Sequence, residues 1–173
     1  ILFGFILPIG FMLKPLLASE ASIPWERFLD WTLNSLQLGG ITALLAVGVA
    51  LLLSFSLRQK NHLFSRLTTQ LVGLGYAVPG AVIVVGLLLP ITWLQQQWPE
   101  SKIGFWLTAT SLGLIWAYLV RFSAVALQSV QSGYARIPVS LDDSSRMLGV
   151  SGISLLQKIH APLLKRPVAA AAL

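Results

Sequence analysis

Long uncharged runs separated by short charged stretches organise this chain. Residues 1–13 carry no charge and end at Lys14. Between Asp30 and Arg58 lie 27 uncharged residues, and between Arg66 and Glu100 lie 33, of which Val72 to Leu94 is the most apolar part. A helix that crosses the hydrocarbon of a bilayer needs about 20 residues at about 1.5 Å each, so each long gap has room for one crossing and not for two. Residues 103–120 are uncharged, Arg121 interrupts, and Phe122 to Ala135 is uncharged again. This fourth span either ends at Arg121 or runs on to about Val130 with an arginine inside it. The pattern predicts an all-α, polytopic transmembrane helical bundle with spans at about 1–17, 33–57, 72–94, 105–130 and 167–173, the last one cut short. Strands of a membrane barrel would alternate apolar and polar residues over about 10 positions, and that alternation is missing. The chain opens at Ile1-Leu2-Phe3 inside one apolar run and stops at Ala169 to Leu173 inside another, so it reads as an excerpt of a longer polypeptide.

Composition agrees with lipid as the solvent. Apolar residues make up 55% of the chain and charged residues only 10%, against about 25% charged in a soluble domain that must coat its core with a hydrated surface. The net charge of +6 does not point to nucleic acid, because the basic residues sit at the ends of apolar runs and form no dense stripe. That placement sets orientation instead. The 58–66 loop carries Arg58, Lys60 and Arg66 with no acid, and the 131–166 segment carries Arg136, Arg146, Lys158, Lys165 and Arg166 against Asp142 and Asp143. Positive loops stay in the cytoplasm, so both segments are expected inside. The acidic 18–30 stretch and the 95–102 loop are expected outside, where Trp25, Trp31, Trp93, Trp98 and Trp106 would mark the interface. Cysteine is absent, which excludes disulfides and thiolate chemistry.

The segment 139–162 is too polar to span and carries the most information. Ser140 followed by Asp143 fits the S-x-x-[DE] pattern of a capping box, Gly149 can take the left-handed conformation that ends a helix, Ser151 can cap a second helix, and Pro162 is expected to close the unit. Its acid, glycine and proline spacing resembles the cytoplasmic loop of binding-protein-dependent ABC importer permeases, whose pattern is Glu-Ala-Ala, three residues, Gly, nine residues, Ile, one residue, Leu-Pro. Asp143-Ser144-Ser145, Gly149, Ile159 and Pro162 take those places, with Asp for Glu, Ser-Ser for Ala-Ala and Ala161 for Leu. The resemblance implies a type I importer membrane subunit whose loop docks on a cytoplasmic ATPase, with Met147, Leu148, Leu155 and Leu156 as apolar anchors and Ser144 and Ser145 permitting close approach. The residues alone also suit an amphipathic helix lying on lipid headgroups, with Arg146 and Lys158 towards phosphates.

A narrower resemblance rests on Asn34-Ser35-Leu36, on Gly75-Tyr76-Ala77-Val78-Pro79-Gly80 followed by Gly86-Leu87-Leu88-Leu89-Pro90, and on Tyr118-Leu119-Val120-Arg121-Phe122. These look like the ferric-iron branch of the same permeases, in which one polypeptide carries two such halves. It implies the second half of a duplicated permease, carrying ferric iron handed over by a periplasmic binding protein and working with two ATPase copies in the bacterial inner membrane. Branches for thiamine, phosphonate, polyamine or sulfate share much of the pattern.

Four residues are candidates for the translocation pathway: Tyr76, Pro79, Gly80 and Arg121. Helix breakers in an apolar span either permit close packing or free carbonyls beside a cavity. Arg121 either snorkels to the cytoplasmic headgroups or lines an inner gate. His62 and His160 are read as lying far from any carboxylate cluster, so no metal site is expected. The spans contain no Asp or Glu, which leaves no proton relay for a secondary transporter. With no phosphate-binding glycine loop and no nucleophile triad, the chain is expected to be a transport subunit without cofactor or enzymatic activity. A non-transporting scaffold or sensor that binds a cytoplasmic protein through 140–160 is the reading from another class.

Overall fold

A computed structural model describes residues 2–18, 24–59 and 63–172. Among these residues every regular element is a helix and there is no strand. The chain divides into two units, Ile1–Leu36 and Gln37–Leu173.

In the first unit, a π-helical turn at Leu2–Ile6 leads into α1 (Leu7–Ala18). The next helix, α2 (Trp25–Gln59), begins directly after Pro24, whose carbonyl accepts from the Phe28 N–H at 3.0 Å. Glu26 sits in the first turn of α2, where the positive end of the helix dipole favours an acid. The second half of the stretch expected as an outer loop is therefore already helical. Glu20 lies outside the described residues.

The second unit is organised around one helix. In chain order it contains the rest of α2, then α3 (Leu63–Leu74), a 3-10 turn (Gly75–Ala77), α4 (Gly80–Gln97), α5 (Ile103–Thr108) and α6 (Ser111–Tyr134). A short α7 (Val139–Met147) follows, then α8 (Ile153–Leu155), a π-helical stretch (Leu156–His160), α9 (Ala161–Leu163) and α10 (Lys165–Ala172). The elements α3, α4, α5 and α10 all pack on α6. On α2 the buried positions Thr42, Ala46, Ala50 and Ser54 recur every four residues, a stripe of small side chains of the kind that lets membrane helices approach closely. Ala46 and Ala50 join Ala126, Leu127, Val130, Tyr134, Ile137 and Leu164 in the core. Gly133 extends that contact to α10, because a Cβ there would run into Pro167 and Leu164 at 2.6 to 2.9 Å.

Three helices, α2, α4 and α6, are long and apolar enough to cross a membrane. Large apolar side chains such as Leu52, Val82, Val85, Leu89 and Leu112 are exposed on them; the five tryptophans expected at the outer interface are exposed too, Trp25 and Trp31 on α2, Trp93 on α4, Trp98 just after it and Trp106 on α5. An apolar exterior is what lipid-facing helices require.

Two of the expected spans are interrupted. The run 72–94 breaks between α3 and α4, where Val78 (ψ 125°) and Pro79 (ψ 139°) are extended. Proline lacks the N–H that would continue the helix and pushes its predecessor out of the helical region. Gly75 lies at the same break, tight against the Val120 carbonyl, where a Cβ could not fit. The run 105–130 is split at Ala109-Thr110, and the Thr110 hydroxyl caps α6 by accepting from the Leu112 N–H at 3.2 Å. From there α6 continues unbroken past Arg121 to Tyr134, so the arginine lies within one continuous helix.

Candidate functional site

The segment after α6 forms two short helical pieces joined by a tight turn. Ile137 is buried and Pro138 is extended, so α7 starts at Val139 with Pro138 as the cap residue. Ser140 is inside the helix and makes no cap, which corrects the expected capping box. Proline takes the boundary because its missing N–H costs nothing in the first turn and its φ is already suited to entering a helix. At the other end the expectation for Gly149 is met: its φ is +81°. The Gly149 N–H donates to the Arg146 carbonyl at 3.0 Å and the Val150 N–H to the Ser145 carbonyl at 2.9 Å. Those two bonds form the paired closure of a Schellman motif.

Helical periodicity then sorts the side chains of α7. Leu141, Asp142 and Ser145 turn inward, while Asp143, Ser144, Arg146 and Met147 are exposed. The acid that the structure uses is therefore Asp142. Asp143 makes only a surface contact with Arg146 at 3.5 Å. Ser145 is buried, with its hydroxyl donating to the Leu141 carbonyl at 2.7 Å, so of the two serines only Ser144 is open to a partner. Met147 and Leu148 project at the tip, 89% and 83% exposed. Leu155 is fully buried and Leu156 partly so, which makes Leu155 a core residue and not an anchor.

The second piece departs from expectation at both ends. Gly152, at φ +57°, precedes α8, and Ser151 provides no cap. Pro162 does not close the unit. It sits in the first turn of α9, and the chain stays helical into α10 through the Leu164 N–H to His160 carbonyl bond at 2.8 Å. The wider turn before it, with the Ala161 N–H reaching the Leu156 carbonyl, spans five residues and absorbs the proline. Ile159 is partly buried, and the next residue, His160, points into the core with no exposure.

His160 belongs to a buried polar network, against the expectation that it stands clear of carboxylates. Its Nε2 lies 3.0 Å from Asp142 Oδ1 and its Nδ1 lies 3.2 Å from the Tyr134 hydroxyl. A carboxylate only accepts, so Nε2 carries the proton and, in the neutral ring, Nδ1 accepts from Tyr134. Arg58, in the last turn of α2, grips the same carboxylate with both edges of its fork: Nε donates to Oδ2 at 2.6 Å and Nη2 to Oδ1 at 3.1 Å. Its remaining donors reach the Tyr134 carbonyl at 3.2 Å and the Pro138 carbonyl at 3.0 Å, and its guanidinium stacks over the Tyr134 ring at 5.4 Å. Burial alone would push the Asp142 carboxyl up. The hydrogen bonds from Arg58, then those from His160, outweigh it and hold the carboxyl below its ordinary value. The rings of Phe55 and Tyr134 close over His160 edge to face.

The network ties four elements together: the end of α2, the end of α6, α7 and the π-helical stretch before α9. The sequence pattern pointed to the segment but missed Arg58, Tyr134, Asp142 and His160 as a set. One signal was available, an acid adjacent to the motif position together with an arginine ending a span expected on the same side. Separations of 84 residues for Arg58–Asp142 and 18 for Asp142–His160 leave no local spacing to read.

The other candidates fall elsewhere in the same unit. Tyr76 and Pro79 are exposed, and Gly80 lies against the Arg121 guanidinium, with 3.0 Å between its ideal Cβ position and Nη1. Arg121 is partly buried and forms no ion pair among the described residues. His62 lies outside the described residues. No family model matches this sequence, and neither a curated protein nor a solved structure matches it.

Proposed function

We propose that this chain is the membrane-spanning permease part of an ATP-driven, binding-protein-dependent importer, and that its 139–162 segment passes force from a cytoplasmic ATPase to the bundle. The observation that carries this reading is the buried Arg58–Asp142–His160–Tyr134 network. It fastens a short bent element to the ends of two membrane helices, while Met147 and Leu148 at the tip of that element stand free of the chain's own core. An element of this kind transmits motion as a rigid lever, because interfaces locked by charge-assisted hydrogen bonds shift as units. A helix that merely rested on headgroups would need no such internal lock.

In this mechanism, closure of two partner ATPases moves α7, and the network carries the displacement to α2 and α6. The bundle alternates between outward-open and inward-open states, with a periplasmic binding protein delivering substrate and a second permease half completing the pathway. The narrower resemblance assigns ferric iron as the substrate, with thiamine, phosphonate, polyamine and sulfate as the alternatives within the family.

Co-purification tests the reading. Affinity-tagged full-length protein should bring down an ATP-hydrolysing subunit, and a Met147→Cys variant should crosslink to that subunit. Recovery of the protein with no ATPase, or with a cytoplasmic partner that hydrolyses no nucleotide, would replace the importer with a scaffold or sensor.

A further inference from the structure

The helical run from Ile153 to Ala172 carries three cations and no acid. Lys158, Lys165 and Arg166 are all exposed, while Leu155, His160 and Leu164 fill the inward side. None of the three cations forms an ion pair among the described residues. The two acids of the preceding helix are already engaged, Asp142 by Arg58 and His160, and Asp143 by Arg146. The counter-charge for this face must come from outside the chain.

Depth says where that counter-charge lies. After α9 the chain turns back along α6: the Ser129 hydroxyl donates to the Pro167 carbonyl at 3.0 Å, and Gly133 is tight against Leu164 and Pro167. Lys165 and Arg166 are thereby level with the last turns of α6, between Ser129 and Tyr134. The 24 residues of α6 span about 36 Å at about 1.5 Å each, against a hydrocarbon thickness of about 30 Å. A helix of that length, centred in a bilayer, brings its last turn to the boundary between hydrocarbon and headgroups. The headgroup layer beyond is about 5–7 Å thick, and Lys and Arg lay their stems along apolar surface to lift the charge into such a layer. Lys158 lies further out, two residues before His160, whose ring meets the Tyr134 hydroxyl at the end of α6. Leu163, 53% exposed among these cations, offers an acyl chain an apolar seat.

From this placement we infer that the face formed by Lys158, Lys165 and Arg166 binds anionic phospholipid, with the lipid phosphate held at the end of α6 beside the buried network. The inference rests on α2, α4 and α6 crossing a bilayer, and is independent of what the protein transports. Each Lys or Arg near an anionic membrane surface strengthens binding about fivefold, so three on one face select anionic over zwitterionic headgroups.

Native mass spectrometry of the full-length protein tests this, in a mild detergent with equimolar phosphatidylglycerol and phosphatidylcholine. Phosphatidylglycerol should dominate the bound lipid. Each of Lys158→Gln, Lys165→Gln and Arg166→Gln should lower that preference up to about fivefold, and the triple variant should abolish it. Lys102→Gln removes one exposed charge at the start of α5, before α6 begins, and should leave the preference unchanged.

Equal retention of the two lipids, a preference that survives the triple variant, or an equal fall with Lys102→Gln would each overturn the inference. So would displacement of the lipid by millimolar glycerol phosphate, which would mark a site for a free phosphate compound. Alkaline carbonate washing of phosphatidylcholine vesicles that carry the protein separates this from the underlying reading. Protein stripped from the vesicles would retire the membrane-spanning reading and the lipid face with it. Protein retained in them but indifferent to phosphatidylglycerol would overturn the lipid face alone.

Discussion

Removing one partner from the Arg58–Asp142 pair should cost far more than removing both. The Arg58 and Asp142 side chains are 12% and 3% exposed, so neither can recover its hydration when the other is lost. Breaking a buried pair costs about 3–5 kcal/mol, most of it the penalty of an uncompensated charge, whereas replacing the whole pair with apolar residues is often neutral. Arg58 keeps some solvent contact and two backbone carbonyl partners, which places Asp142→Leu near the lower end, about 3 kcal/mol. Arg58→Met should cost a similar amount, since it leaves the carboxylate with His160 alone. The double variant Arg58→Met/Asp142→Leu should fall well short of the sum, with a coupling energy of about 2 kcal/mol or more. Reversible unfolding of the full-length protein by a denaturing detergent, followed by tryptophan fluorescence, measures all four corners of the cycle. Additivity within about 0.5 kcal/mol would mean that the two groups do not interact as described, and the lever argument would lose its physical basis.

The remaining predictions each isolate one feature. Because the folded Asp142 carboxyl sits below its ordinary value, the unfolded chain binds its proton first as pH falls. The stability from this group should be intact above about pH 4 and decline below it, a loss that pH-dependent unfolding would show and that Asp142→Asn should abolish. Gly149→Ala meets no neighbouring atom, so its cost is backbone strain at φ +81°, about 1 kcal/mol, and differential unfolding should detect no more than that. Met147→Asp with Leu148→Asp should leave stability within about 0.5 kcal/mol, as exposed positions do, while ATPase recovery in pull-downs drops sharply. Gly75→Val drives a side chain into the Val120 carbonyl and should destabilise by about 1–3 kcal/mol, read as lower yield of folded protein after detergent extraction.

The helical class, the presence of helices long and apolar enough to cross a membrane and the turn at Gly149 were legible along the chain because each follows from short-range rules. Uncharged runs of sufficient length form helices in lipid, since every backbone polar group must be satisfied within the segment. A glycine after a polar amphipathic stretch supplies the one residue that takes positive φ freely. Proline punctuation was legible only in part. Pro79 broke a run whose length alone suggested one continuous helix, Pro138 took the cap expected of Ser140, and Pro162 was accommodated by a π-helical turn. In each case the outcome depended on where neighbouring backbone groups found their partners.

The choice between two adjacent aspartates lay beyond the sequence. Asp142 and Asp143 differ by one residue and about 100° around a helix, and which one faces inward depends on how α7 seats against α2 and α6. That seating is decided by contacts between residues 58, 134, 142 and 160, brought together only when the helices pack. Once Arg58 is buried at the end of α2, its fork must find a carboxylate within reach, and the rotation of α7 that satisfies it turns Asp143 to the surface. Local composition thus determined what each segment could become. Tertiary packing, through the cost of leaving a buried charge unpaired, decided which side chains came to share a site.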